Sequence, residues 1–413
     1  MLRPLRLPVT IVAALAVAEA AVILFRPRDR LEPVDVAPQR YFSTEFIDRA
    51  EDFRTGQLVL FGLRTALEIG LLVWVVRRPP QRLRERFRRP VGAGAATAVA
   101  LSVAVTVVTL PVSAISRQRA MDVGLVTQSW LGWAGDVVKG MAIQAVIVGA
   151  GGALLVFMMR RLGRRWWIAG AALAVAFGVI ITYASPIVLD PVFNRFERLP
   201  AGQLRSDVLD LARRADVKVG EIYVMDASRR TTAANAYVAG LGTTKRVVIY
   251  DNLLEKFKPG EVRLVLAHEL GHVHYRDVPH GLLYLAIVAP FGMLAVARLA
   301  ERLAPEGLGR PAAVPAVALA IALIVPSITF ISNALSRDVE ARADRFAMEL
   351  TRDSGDLIDF QRRITVQNVS DPDPPGWVHA LLGTHPTAVE RIGQALAFSR
   401  SSEAAAAAPP GGS

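Results

Sequence analysis

Seven stretches of the sequence are apolar and long enough to cross a lipid bilayer as α-helices. A hydrocarbon core about 30 Å thick takes roughly 20 helical residues. A segment in lipid must also pair its own backbone polar groups, which a helix does. The stretches run over residues 8–25, 57–76, 91–115, 140–159, 166–189, 281–299 and 311–332. The sequence therefore predicts a mainly α-helical protein that crosses a membrane several times.

Composition agrees with a location in lipid. Hydrophobic residues make up 52% of the 413-residue chain, which is more than an ordinary soluble protein carries. The net charge of +11 comes from Arg residues that cluster between apolar stretches and form no basic stripe with interleaved aromatic residues. Membrane lipids are therefore expected partners and nucleic acid is not, while the oligomeric state is left open. Because the chain has no Cys, a metal site would have to use His and carboxylate side chains.

The first apolar stretch has two interpretations. Arg3 and Arg6 precede it, and residues 18–20 resemble a cleavage site, as in a secretory signal peptide. The apolar run nevertheless continues through residues 21–25. We therefore predict a retained membrane span.

Five regions are expected along the chain. Periodicity predicts helices at 204–215 and 262–276 and strands at 221–225 and 246–250, in a part of the chain with ordinary soluble character. The final residues are rich in Ala, Pro, Gly and Ser. The regions are five spans with their loops (1–189), a first soluble region (190–280), a two-span hairpin (281–335), a second soluble region (336–400) and a disordered tail (401–413).

Arg residues between the spans predict an orientation in the membrane, because cytoplasmic loops carry an excess of Lys and Arg. The loop after the second span carries seven Arg between Arg77 and Arg89, and the loop after the fourth carries Arg160, Arg161, Arg164 and Arg165. Counting spans from these loops puts the N-terminus in the cytoplasm and both soluble regions on the opposite face.

A His-Glu-x-x-His motif at residues 268–272 predicts a zinc site. His268 and His272 lie four residues apart, on one face of a helix, and Glu269 would stand beside an open coordination position. A catalytic zinc has three protein ligands and a water whose pKa it lowers, so that a nearby carboxylate can take the proton. The alternative is a chance match on a surface helix. The motif favours one Zn2+ per chain and hydrolysis of a peptide bond.

Glu340 is the best candidate for the third ligand. Asp344 follows four residues later, on the same helical face, where a carboxylate can orient a ligating His. Without the upstream motif, an ordinary charged helix would be the better interpretation. Residues 281–335 form a hairpin of two spans, so His272 and Glu340 emerge on the same membrane face whichever way the protein is oriented.

The remaining charged and His residues are less decisive. His274 and His280 are expected to be structural or solvated, and His385 before Pro386 is, taken alone, more typical of a structural role. Charged residues inside the spans either hold helices together or line a hydrated chamber, and Arg64 and Glu68 could pair across one helical turn. The charged positions within spans are Glu19, Arg64 and Glu68.

Several further motifs occur in a fixed order around the zinc motif. With these motifs the chain resembles the CAAX prenyl protease 1 family of membrane zinc metallopeptidases, whose relatives include HtpX-type proteases. The motifs are SPIVLDPVFNRF (185–196), DASRR (226–230), NAYVAGLG (235–242), KRVVIYD (245–251), SRDVEARADRFA (336–347) and HPTAVER (385–391).

The resemblance implies a fold and a cleft. Seven transmembrane helices would surround a chamber, with a zincin-type α+β protease region that contains a small β-sheet. Zinc would be bound by His268, His272 and Glu340, with Glu269 as general base and Asp344 orienting a ligand. An edge strand at residues 235–239, which includes Tyr237, would pair with an extended substrate. The resemblance also implies that Asn235, His385 and Arg391 line the cleft, and His385 could then stabilise the oxyanion.

Substrates remain open at this point. The Arg-rich, Lys-poor composition is typical of a bacterial plasma-membrane protein, and bacteria generally lack prenylated substrates. In eukaryotic members of the family the protease region faces the cytosol, opposite to the orientation that the loop charges predict here. We expect peptide or protein substrates at the membrane, lipidated or not. The alternative is a transporter or an inactive scaffold, against which the intact Glu269 argues.

Overall fold

Long α-helices dominate the computed structural model, which describes residues 6–80, 88–240, 245–304 and 307–407. Six stretches are long and apolar enough to cross a membrane. The fourth, Trp130–Phe193, spans 64 residues and contains two long helices, which are separated by a turn that starts at Gly163 with a φ of 54°. The membrane helices before the protease region are α1 (Arg6–Phe25), α2 (Thr44–Arg77), α3 (Pro90–Asp122), α4 (Trp130–Leu162) and α5 (Trp166–Ala184).

Local sequence explains where several of these helices begin. The Ser43 hydroxyl accepts a hydrogen bond from the backbone N–H of Phe46 at 3.2 Å, which caps α2. Ser129 caps α4 in the same way, by accepting from Gly132 at 3.1 Å. Each cap pairs a backbone donor that has no partner within the helix.

The rest of the chain contains the last two membrane helices, α10 and α11, and the elements outside the membrane. A short π-helical segment, Ser185–Leu189, follows α5. The helices are α6 (Asp190–Phe193), α7 (Gln203–Arg214), α8 (Asp251–Lys256), α9 (Pro259–His274), α10 (Asp277–Leu303), α11 (Ala313–Thr351), α12 (Gly355–Gln367), α13 (Gly376–Leu382) and α14 (Ala388–Ala407). The strands are β1 (Phe196–Arg198), β2 (Glu221–Met225), β3 (Ala236–Ala239) and β4 (Arg246–Tyr250).

The four strands form one mixed sheet in the order β1-β2-β4-β3. The central strands β2 and β4 run parallel, and each edge strand is antiparallel to its neighbour. The central strands contribute Ile222 and Ile249, both fully buried, to a core that they share with Leu264 of α9 and Leu357 of α12. The sheet therefore supports one side of α9 and exposes β3 at its edge.

The α10–α11 hairpin is the centre of the membrane bundle. Small residues of α1 pack against it, with Ala18 fully buried next to Val288 of α10. Ala14 of α1 joins a second cluster with Ala295 and Ala320 of the two hairpin helices. Close contact through small residues is how helices associate in lipid, where no hydrophobic effect drives them together.

Helix α11 is longer than the apolar span that predicts it. The span ends near residue 332, but the helix continues without interruption to Thr351 and so carries the second half of the protease site. Two residues between α9 and α10 are not helical, and one of them, Arg276, adopts a left-handed conformation with φ 56°. The break turns the chain from the protease region into the membrane.

Two expectations differ from the structure. Arg64 is exposed, Glu68 is half-buried, and they form no ion pair with each other among the described residues. The predicted disordered tail is helical up to Ala407, since its Ala-rich start favours a helix, while residues 408–413 lie outside the description. Part of the Arg-rich loop after α2, residues 81–87, also lies outside it.

Candidate metal centre

Two helices bring three metal-ligand side chains together. His268 and His272 project from one face of α9, and Glu340 reaches them from α11. His268 Nε2 lies 3.2 Å from His272 Nε2 and 3.1 Å from Glu340 Oε2, and His272 Nε2 lies 3.6 Å from Glu340 Oε1. Tetrahedral ligands about 2.1 Å from a metal lie roughly 3.4 Å from one another. The cluster therefore fits a single tetrahedral metal ion.

Each His is oriented by a carboxylate on its other ring nitrogen. His268 Nδ1 lies 2.8 Å from Asp344 Oδ1, and His272 Nδ1 lies 2.9 Å from Asp277 Oδ2. An Nδ1–H that donates to a carboxylate leaves the Nε2 lone pair free for a metal. Both Nε2 atoms point into the cluster that Glu340 completes.

The carboxylates of Asp344 and Asp277 each accept hydrogen bonds from an Arg side chain. Arg391 donates from Nε to Asp344 Oδ2 at 2.6 Å. Arg342 donates to Asp277, and its guanidinium lies 4.1 Å from the centre of the Tyr275 ring. The site thus contains two Arg–Asp–His chains that converge on the same position.

Asp277 is a functional candidate that the sequence analysis missed. It follows His272 by five residues, a spacing that does not put two residues on one helical face. Asp277 is the first residue of α10, and the left-handed turn at Arg276 places its side chain next to the His272 ring. An acidic residue immediately after the zinc-motif helix was the one signal available.

Charge around His268 favours a cation in the cluster. Burial by itself would lower the pKa of His268. Hydrogen bonds to Asp344 and Glu340 raise the pKa by more than burial lowers it, to about 10. The ring therefore holds a proton among these carboxylates, and a bound metal ion would replace that proton. A site that stabilises positive charge in this way matches a divalent metal.

Glu269 is placed as a free base beside the cluster. The side chain makes no hydrogen bond or ion pair with any residue in the described ranges. Burial raises the pKa of its carboxyl group, and the positive His268 opposes that change. A carboxylate with no structural partner next to three metal ligands is available for proton transfer.

Two cavities meet at Glu269. One, of about 560 Å³, is lined by Asn235, His268, His385 and Arg391, among others. The other, of about 440 Å³, has mainly apolar walls that include Pro186 and Tyr237. Together they form a cleft that passes the metal cluster.

Strand β3 runs along this cleft with one edge unpaired by other strands. Tyr250 N–H donates to Asn235 C=O at 3.0 Å, so hydrogen-bonded pairs occur at every second residue from Asn235. Ala236 and Val238 therefore point their backbone groups away from β4. The Ala236 N–H is taken by the Asn235 side chain at 2.9 Å, whereas Val238 can offer both groups to an extended peptide.

The residues predicted to line the cleft make different contacts. His385 Nε2 lies 3.3 Å from Glu340 Oε2, and the side chain is 56% exposed. Asn235 is exposed beside the polar cavity, and the Tyr237 hydroxyl donates to Asp190 at 2.7 Å. Arg391 lines the same cavity as Asn235 and His385, and its guanidinium also donates to Asp344. His274 has a structural contact, with Nδ1 2.9 Å from the Ala215 carbonyl oxygen.

Comparisons with known proteins agree with this geometry. Residues 198–399 match peptidase family M48, and residues 55–195 match the CAAX prenyl protease N-terminal region, described as five membrane helices. The uncharacterized metalloprotease YhfN of Bacillus subtilis is 31% identical over 295 residues, which cover 70% of this chain and 69% of YhfN. The chain belongs to peptidase family M48. It is an integral membrane metalloendopeptidase of that family.

Eukaryotic M48 relatives are more distant. The probable CAAX prenyl protease 1 of Schizosaccharomyces pombe is 27% identical over 62% of this chain, and the Arabidopsis thaliana CAAX prenyl protease 1 homolog is 27% identical over the same share. The matched parts span 56% and 62% of those two proteins, less than two thirds of their length. The crystal structure of S. mikatae Ste24p has the same fold, with a TM-score of 0.72 and 19% identity over 96% of this chain and 99% of Ste24p.

Proposed function

We propose that this M48 peptidase uses one Zn2+ per chain to cleave extended protein segments at the membrane surface. The observation that carries the proposal is the cluster of His268, His272 and Glu340 with an unpartnered Glu269 beside it. Two His and one carboxylate are a ligand set that catalytic zinc uses in peptidases. When bound there, zinc supplies Lewis-acid chemistry that lowers the pKa of a water molecule and polarises a carbonyl group.

The chain's own residues would carry the proton and hold the substrate. Glu269 accepts a proton from the attacking water on its carboxylate and returns it to the leaving amine. Val238 pairs with the substrate backbone, which lies extended along β3. His385 donates a hydrogen bond from the exposed side of the cleft to the oxygen that gains negative charge. The three groups surround one position next to the ligand cluster.

The substrate class follows from the cleft and its surroundings. An apolar cavity on one side of Glu269 suits an apolar side chain next to the scissile bond. Because α11 carries Glu340 directly from a membrane span, the substrates are membrane-associated or unfolded proteins within reach of the bilayer. Removal of a peptide from a lipidated C-terminus, as the name of the eukaryotic relatives indicates for them, is a narrower candidate. Loop charges favour a site outside the cytoplasm, and the Arg-rich, Lys-poor composition favours a bacterial plasma membrane.

A Glu269→Gln variant of the full chain tests the proposal. We expect wild-type protein loaded with zinc to cleave a generic unfolded protein, and the variant to bind the same zinc but cleave about 10³-fold more slowly. Glu349→Gln, an exposed carboxylate on α11, is the matched control and should retain activity. If the zinc-loaded wild-type protein cleaves no substrate that the variant leaves intact, the peptidase proposal is wrong.

Substrate identity can be approached with the same variant. Proteins that accumulate on Glu269→Gln in cells, but not on wild type, are trapped substrates. Peptides with and without a C-terminal prenyl group would then separate the two substrate classes. Equal cleavage of both would exclude a requirement for the lipid.

A further inference from the structure

A third cavity lies at the opposite end of the bundle from the metal centre. Its volume is about 610 Å³, and its charged lining consists of Arg164, Arg298, Glu301 and Arg302. Helix α10 begins at Asp277, beside the metal cluster, and its 27 residues span about 40 Å. The cavity is therefore at the other membrane face and takes no part in peptide cleavage.

Among the described residues, three Arg and one Glu line this cavity. Glu301 Oε2 lies 3.3 Å from a guanidinium nitrogen of Arg164 and 3.3 Å from one of Arg298. One carboxylate thus faces two cations. The buried Nε of Arg298 makes no hydrogen bond among the described residues.

Apolar surface continues from the mouth of the cavity along the membrane helices. Leu7 of α1 and Met159 of α4 line the cavity itself. Within two to five residues of these positions, Val9 and Val12 of α1 are 61% and 65% exposed, and Phe157 of α4 is 48% exposed. A ligand that combines an anionic head with long apolar chains fits both the charged cavity and the apolar helix surface. A soluble phosphate ester fits only the charged cavity.

We propose that this cavity binds the headgroup of an anionic phospholipid. A guanidinium presents donors that match the oxygens of a phosphodiester, and basic pockets between transmembrane helices on the cytoplasmic side are suited to such headgroups. The four Arg of residues 160–165 surround the same helix end and add to the local positive potential. The bound lipid bridges the end of α10 to the turn between α4 and α5.

Native mass spectrometry of the full chain, titrated with lipid in detergent, tests this site. Phosphatidylglycerol should bind at least tenfold more tightly than phosphatidylcholine with the same acyl chains. Arg298→Gln with Arg302→Gln should weaken phosphatidylglycerol binding by roughly tenfold or more, because each Arg near an anionic headgroup contributes separately. Glu301→Gln should strengthen it, since the competing carboxylate is gone, and a misfolded variant could not produce that gain.

The control is Arg77→Gln with Arg78→Gln, which removes two cations at the end of α2 outside this cavity. It should leave lipid binding unchanged, as should Glu269→Gln in the protease site. Equal weakening by the control pair would overturn the proposal in favour of general surface attraction. Competition by soluble glycerol phosphate at the same concentration as the lipid, or unchanged binding in the Arg298 and Arg302 variant, would overturn it as well.

Discussion

At the scale of single residues, the metal centre depends on groups that never touch a metal. His268 and His272 each have one ring nitrogen in the cluster and the other held by an aspartate. The aspartates are in turn held by Arg391 and Arg342. Because a rotated or wrongly protonated imidazole cannot present Nε2, these partners decide how well the two His bind metal.

Asp277→Asn should therefore weaken zinc binding. The amide offers at best a neutral acceptor to His272 Nδ1 and can present a donor instead, so we expect roughly 10- to 100-fold lower zinc affinity. A competition titration with a zinc chelator measures the change. Glu349→Gln serves as the control, and unchanged affinity in Asp277→Asn would show that the Asp277 contact does not orient the ring.

At the scale of elements, the membrane bundle and the protease region share their long helices. Helix α11 is both the last membrane span and the support of Glu340 and Asp344, so a shift in the membrane moves half of the metal site. The sheet positions the other half, since α9 packs on it through Leu264. Strand β3 then adds the proposed substrate surface at the sheet edge.

Substituting Val238→Pro should impair substrate binding while leaving the sheet intact. Proline removes an N–H that points away from β4, and edge strands tolerate it at such positions. Loss of one hydrogen bond to the substrate backbone should lower kcat/KM by roughly tenfold. Arg198→Pro is the matched control, because it removes an outward N–H from β1 at the remote edge of the same sheet. Similar losses in both variants would contradict substrate pairing along β3.

The contact between α3 and α4 should depend on Gly152. A Cβ atom added there would lie 2.6 Å from the Ala98 Cβ and 2.7 Å from the Gly94 carbonyl oxygen, too close to fit without a shift of the helices. Gly152→Ala should cost about 1–3 kcal/mol and lower the melting temperature in detergent by several degrees. Gly151→Ala has no atom within 4 Å of the added Cβ and should melt like wild type.

At the scale of the whole molecule, the metal centre joins parts of the chain that a membrane hairpin separates. Two ligands precede α10, and the third lies far along α11. Both ends of the hairpin emerge on one face, so these ligands can meet only when the hairpin is folded. Metal binding and the fold of the bundle are thus linked.

Chelation should lower the stability of the whole protein. A metal at about 1,000 times its dissociation constant stabilises the folded state by about 4 kcal/mol, and this contribution is lost when a chelator removes it. We expect a lower melting temperature for wild type and Glu269→Gln after chelation. Glu340→Gln should show little response, since its site is already incomplete. A full response in Glu340→Gln would exclude Glu340 as a ligand.

Reporter fusions test the predicted orientation. A periplasm-type reporter joined after Phe398 should be active, because the Arg-rich turns at the other end favour the cytoplasm. The same reporter joined after Leu162, in one of those turns, should be inactive. The reverse pattern would put the protease site in the cytoplasm.

Much of the molecule could be predicted from local patterns. Apolar stretches predicted the membrane helices, and β2 and β4 were predicted with their observed bounds. The four-residue spacing of His268 and His272 predicted a shared helical face, and the two-span hairpin led to Glu340. In each case neighbours in sequence or a simple count of spans carried the information.

Other features depended on how distant elements pack. Asp277 reaches His272 through a left-handed turn, and Arg391 reaches Asp344 because α14 packs on α11. No periodicity records those contacts, since they join side chains whose separation is set by the angle between helices. The sequence by itself predicted the membrane helices and the three side chains of the candidate metal site. The tertiary structure decided which residues orient the ligands, where the two cavities meet and which edge of the sheet faces them.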